Sequence, residues 1–186
     1  MNLYESYAVG LPLGQFLDKY GTHSHRQRWQ ATRNSLALSE SMRQTLQAFK
    51  REMHVLVLAG AWCGDCSSQC PWFELFADVA PCLKIRYCDR DEQTLLQQVL
   101  RINGGNRVPV VVFFSEDGHE VSRFGERTLA QYRHLLRAFS GEGCSTGIVL
   151  KDDPLQLQIG LEWLNEFERV HAILRLSPRS RSLHKD

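Results

Sequence analysis

Apolar positions along this chain repeat with two different periods, and the changes between them mark out its elements. "LSESMRQTLQAFKRE" puts Leu38, Met42, Leu46 and Phe49 at helical spacing, with Ser39 or Ser41 as the N-cap, so a helix is predicted there. "HVLVLAG" is a short continuous apolar run, the pattern of a strand covered on both faces. "CSSQCPWFELFADVA" returns to helical spacing, with Phe73, Phe76 and Ala77 on one face. A strand in "CLKIRYC", a helix in "DEQTLLQQVLRI" and a strand in "VPVVVFF" come next. The turn "EDG", the strand "HEVSRFG" and the closing helix "TLAQYRHLLRAF" complete the run. The predicted order over residues 53–140 is therefore β-α-β-α-β-β-α. Helical crossovers imply parallel neighbours, and the short turn at Glu116-Asp117-Gly118 implies one antiparallel pair. The fold class expected is α/β, a mixed sheet with helices on both faces.

The flanks differ from this centre. Residues 1–52 form a polar N-terminal helical extension, in which "YGTHSHRQRWQATRN" carries no clear period. Residues 141–186 open on the loop "GEGCSTG", and Asp152 or Asp153 ahead of Pro154 suits a helix start. That helix would carry Leu157, Leu161, Leu164, Phe167, His171 and Leu174 on one face. "SPRSRSLHKD", with Arg179, Arg181 and Lys185, reads as a frayed, solvated basic tail packed on or trailing from the same domain.

With 186 residues, the chain can bury a proper core without covalent staples. A net charge of +1 gives no general attraction to nucleic acid. No basic segment leads into an apolar one at the start, and no stretch is long enough to span a bilayer. The expectation is a cytoplasmic protein without a membrane or nucleic-acid partner, in which six cysteines are not three structural disulfides.

The candidate chemistry lies in "WCGDC", residues 62–66, between the first predicted strand and helix. Cys63 at the first turn of a helix meets unpaired backbone N–H groups and the positive end of the helix dipole, and both favour the thiolate. Gly64 permits a tight bend, and the two-residue spacer brings Cys66 within disulfide reach. Cys63 is then the attacking thiol and Cys66 the resolving one. Asp65 places a carboxylate inside the motif, which opposes the thiolate and favours a reductant over an oxidant.

WCGDC between a strand and a helix resembles the active site of the thioredoxin superfamily. Pro71, five residues after Cys66, matches the proline that kinks this helix in the family, and "RVPVVVFF" resembles the strand whose leading proline, here Pro109, is cis and faces the dithiol. "EDG" with "HEVSRFG" resembles the terminal hairpin, and the likeness covers residues 53–140. The motif with a helical N-terminal extension is also similar to a group of bacterial thioredoxin-like proteins. The resemblance implies a thiol–disulfide oxidoreductase without cofactor or metal, acting on a disulfide-bearing protein and recharged by a dithiol electron donor or a small thiol. It gives Trp62, Val108 and Pro109 the substrate surface. It also exposes a departure: the buried Asp that many members carry six residues ahead of the first cysteine is Val57 here.

Two other readings stay open. The thiols could report oxidation without turnover, as a redox-sensing or thiol-dependent binding module, a reading that Val57 and the extra Cys70 favour. Alternatively, "CGDCSSQCP" could supply Cys63, Cys66 and Cys70 to zinc or an iron–sulfur cluster, though no second CxxC offers a fourth ligand. Cys70 is expected to be a small buried hydrophobe, Cys82 and Cys88 inert beside a strand, and Cys144 a quiet surface thiol. His23 and His25 belong to a solvated polar segment.

Overall fold

Every residue of β1 (Met53–Ala59) is buried, as its unbroken apolar run requires. Its neighbours are β2 (Leu83–Asp89), β3 (Val110–Ser115) and β4 (Glu120–Gly125), in the order β2-β1-β3-β4. The computed structural model describes residues 2–139 and 154–185; the "GEGCSTG" loop with Cys144, and Asp152 and Asp153, lie outside them. The sheet is mixed and flanked by helices, as expected, but its pairing differs in one respect. β1 pairs parallel with β2 and antiparallel with β3, and β3 pairs antiparallel with β4, so there are two antiparallel pairs where the turn signal gave one. A helical crossover fixes that the chain returns to the sheet, not which strand it returns to. After α7 (Thr94–Val99) the chain passes over β1 and comes back alongside it in the reverse direction.

Four helices make up the N-terminal extension: α1 (Leu3–Val9), α2 (Leu13–Tyr20), α3 (His23–Ser35) and α4 (Glu40–Gln47). Ser39 caps α4, and Leu38, Met42, Leu46 and Phe49 are all buried as their spacing predicts. The segment without a clear period is α3. Thr22 caps it in a capping box with His25, whose ring nitrogen accepts from the Thr22 N–H, so this histidine serves the helix end. Between α1 and α2, Leu11 lies along the outer edge of β2, exchanging hydrogen bonds of 2.9 and 2.7 Å with Tyr87.

The predicted helix after the CxxC is two helices, α5 (Gly64–Gln69) and α6 (Pro71–Val79), divided at Pro71, which has no N–H to carry the ladder through. Helix α8 (Leu129–Phe139) closes the central run, and α9 (Leu155–Leu176) lies against α4, α5, α6, α8 and β4. Its buried face centres on Ile159, Trp163, Phe167, Val170 and Leu174, with Leu157 and Leu161 half-buried at its border. The expected frayed tail is instead a helix, α10 (Pro178–His184), capped by Ser177 with Pro178 in the first turn. Arg179 pairs with Asp117 and His184 with Glu116, which ties α10 to the β3–β4 turn.

Candidate active site

Strand β1 delivers the chain into a turn in which the Cys63 N–H donates to the Gly60 carbonyl at 3.0 Å. Gly60 leaves room for the Trp62 ring, from which a Cβ at this position would lie 2.7 Å away. Cys63 is the N-cap of α5, in extended conformation, and its Sγ accepts the Cys66 N–H at 3.4 Å. Gly64 has a different part from the one expected. A Cβ there would touch nothing within 4 Å, so it keeps the surface beside Cys63 low and is not needed for a bend.

The two thiols differ in access. Cys63 is 7% exposed and Cys66 fully buried, with Cys70 equally buried one turn further on. Cys63 Sγ also faces the Val108 carbonyl at 3.7 Å. The Cys66 thiol facing it, together with burial, pushes the Cys63 thiol well above the ordinary thiol range. Burial pushes Cys66 up as well. The expected thiolate stabilisation at the helix start is present in the Cys66 N–H contact, but the facing thiol and burial outweigh it.

Around this pair the structure assembles the residues singled out in the sequence. The Trp62 ring is 41% exposed and lies under the Arg90 guanidinium at 4.5 Å, with its Nε1 donating to Asp91 at 3.1 Å. Val108 and Pro109 are buried opposite Cys63, joined by a cis peptide bond as the resemblance implied. Asp65 pairs with Arg127, Nη2 to Oδ2 at 2.6 Å, and Arg127 also holds Glu126 at 3.0 Å. Gly125 allows this loop its approach, since a Cβ would stand 2.5 Å from the Pro109 carbonyl oxygen.

Both extensions brace the motif. From α3, Trp29 donates to the Ala61 carbonyl at 2.9 Å and Arg28 to the Trp62 carbonyl at 2.6 Å. From α9, Trp163 donates to buried Gln69 at 2.8 Å and Gln156 to Ser68 at 2.9 Å, while Gly160 lets the helix approach Trp72. Arg127, Arg28, Arg90, Gln69 and Trp163 were not foreseen. Only Arg127 had a sequence signal, a charged pair following the glycine that ends the last strand.

The remaining candidates lie apart from the dithiol or are inert. Cys88 donates to the Ser6 carbonyl and is pushed up to about 11 by burial, and half-buried Cys82 is raised for the same reason. Val57 is fully buried within β1, and no carboxylate replaces it on that strand. Among the described residues, no group of three His, Cys, Asp or Glu side chains is arranged to hold a metal ion. Nor is any helix among them long and apolar enough to cross a membrane.

A family model described as thioredoxin matches residues 10–136. A protein of unknown function from Pseudomonas aeruginosa has a similar structure, with TM-score 0.71 at 17% identity over 91% of this chain and 96% of that one. An HIV epitope scaffold of the 4E10 series matches with TM-score 0.64 at 18% identity, over 95% of this chain and 99% of that one. The thioredoxin of Fasciola hepatica aligns at 23% identity over 53% of this chain and 91% of its own, with TM-score 0.35. No curated protein matches the chain in sequence.

Proposed function

Since this chain belongs to the thioredoxin family, we propose that it is a thiol–disulfide oxidoreductase working through Cys63 and Cys66, in the reducing direction. The observation that carries the reading is the Cys63 sulfur at the N-cap of α5. It is the more accessible thiol of the pair, with the Cys66 N–H on one side and the Val108 carbonyl on the other. Cys63 attacks a substrate disulfide, and Cys66 displaces the reduced substrate by forming the Cys63–Cys66 bond. A pair that resists ionisation gives a weakly stabilised dithiol and so a disulfide that is hard to reduce, which suits a reductase. Trp62, Val108 and Pro109 form the substrate surface, and a dithiol reductase or small thiol returns the electrons. A dithiol reductant of this kind belongs in a reducing compartment such as the cytoplasm. The extensions braced on the motif narrow the range of disulfides that gain access.

Trapping tests this. A Cys66→Ser variant should accumulate a mixed disulfide through Cys63 with a protein partner, and mass spectrometry of the wild type after thiol trapping should find one reversible Cys63–Cys66 disulfide under reducing glutathione buffers. Absence of any disulfide at Cys63 would sink the reading. A second reading, a sensor that does not turn over, is favoured by the third buried thiol at Cys70, and a disulfide that includes Cys70 would select it.

A further inference from the structure

Resolution of a mixed disulfide needs Cys66 to lose a proton, yet Cys66 is fully buried and β1 brings no carboxylate to it. The only ionisable side chain on β1 is His54, engaged with Glu52 and Tyr4. Along the helix run that starts at the motif, however, ionisable groups recur every fourth residue: Cys66, Cys70, Glu74. That spacing stacks them on one helical face. The Cys70 N–H bonds the Cys66 carbonyl at 2.9 Å, so the run is helical at that step despite the break at Pro71. Successive turns therefore set Cys70 over Cys66 and Glu74 over Cys70, near enough for the Glu74 charge to act on the Cys70 thiol.

Glu74 is an unusual carboxylate for this position. It is half-buried and accepts the Tyr87 hydroxyl of β2 at 2.9 Å. Its outer side lines a cleft of about 830 Å³ between α2, α3 and α6, which gives a proton a way out to solvent. Burial holds it above the ordinary carboxylate range, and the Tyr87 hydrogen bond works against that rise. The charged groups facing it are Arg33 from α3, itself paired with Asp78, and Asp78 from its own helix. Arg26 and His23 of α3 and Asp18 of α2 line the cleft mouth.

We propose that Glu74 accepts the proton that Cys66 loses on resolving the mixed disulfide, with the Cys70 thiol between them and Tyr87 holding the carboxylate in place. This rests on the oxidoreductase reading above. In the step, the Cys66 S–H passes its proton to Cys70 as the Cys70 S–H passes its own to Glu74. The Cys66 electron pair forms the bond to Cys63 Sγ, and the bond between Cys63 and the substrate sulfur breaks, its pair leaving with the substrate as thiolate. The dithiol is oxidised by two electrons and the substrate disulfide is reduced by two. Glu74 releases its proton through the cleft. Cys70 is thus a conduit, which neither the sensor nor the buried-hydrophobe reading gives it.

The test separates the two steps. Reduced protein mixed with the aromatic disulfide DTNB releases one thionitrobenzoate when Cys63 attacks and a second when Cys66 resolves, and stopped-flow absorbance follows both. With Glu74→Gln, which keeps an acceptor for Tyr87, the second phase should slow about tenfold or more near pH 7 while the first is unchanged. In the wild type the second phase should rise with pH as Glu74 ionises, and Glu74→Gln should lose that rise. Tyr87→Phe should move the rise to higher pH, because the bond that eases Glu74 ionisation is gone, and Glu74→Asp should restore part of the rate. An unchanged second phase in Glu74→Gln overturns the proposal, as does an equal loss in both phases, which marks a structural role. A wild type with no second phase removes the resolving role of Cys66 and the proposal with it.

Discussion

Arg127 reaches from the loop after β4 to Asp65 inside the CxxC spacer, Nη2 to Oδ2 at 2.6 Å, and so sets a positive charge against the one carboxylate within the motif. Asp65 adds to the upward push on Cys63, but least among the groups acting there, and Arg127 sets an opposite charge against it. Arg127→Met should therefore slow alkylation of Cys63 at mildly alkaline pH, by about threefold, and Asp65→Asn should speed it by a similar factor. The pH dependence of iodoacetamide labelling, read by mass spectrometry at Cys63, checks both. Equal rates in all three proteins would show that the pair has no electrostatic hold on the thiol.

His171 makes a second prediction, about stability. Its ring stacks on Phe49 at 4.5 Å, and its Nε2 accepts the backbone N–H of Lys50 at 2.8 Å and of Arg51 at 3.3 Å. That geometry requires the neutral ring, and burial, with Arg175 and Arg51 nearby, pushes it down to about 4. Between that value and the ordinary histidine range near 6.5, the unfolded chain binds a proton that the folded one refuses. The contribution is fully present above the unfolded value and is lost as pH falls, amounting to up to about 3 kcal/mol. Urea unfolding should show this acid loss in the wild type and a smaller one in His171→Gln.

Gly160 supplies a third. Alanine is the better helix former, yet a Cβ at this position would come within 2.7 Å of the Trp72 ring. Gly160→Ala should therefore destabilise the fold by about 1–3 kcal/mol, against the propensity trend. Denaturant titration measures it, and a stabilised variant would mean that Trp72 moves aside freely.

The pairs that dock α10 should matter little. Arg179–Asp117 is partly exposed, and Arg179→Ala should cost no more than about 1 kcal/mol, less at high salt. Thermal unfolding at low and high ionic strength tests this.

What the sequence made legible follows from how strongly each element is written. The apolar runs of β1 and β3, the CxxC and the two prolines carry local signals that tertiary context did not override. Helix α3 buries Trp29 alone among its residues, so its burial gave no period, and its capping box uses His25 where Glu or Gln is the usual signal. Helix α10 was hidden because Ser-Pro followed by basic residues reads equally as a tail. The charge around Cys63 depends on contacts between distant elements, Asp65 with Arg127 above all, which spacing does not reveal. Glu74 is an intermediate case. Its place four residues beyond Cys70 was readable, but its meeting with Tyr87 across α6 and β2 was not.

The short bridge between Leu11 and Tyr87 has a consequence of another kind. A four-stranded sheet with β2 at its border would present a row of open backbone groups to any neighbouring chain, the usual starting point for edge-to-edge aggregation. Leu11 occupies both the N–H and the carbonyl of Tyr87, and Arg86 beside it donates to the carbonyls of Ala8 and Gly10. The link between the first two helices thereby acts as a guard rail, blunting the edge with a single residue too short to extend the sheet.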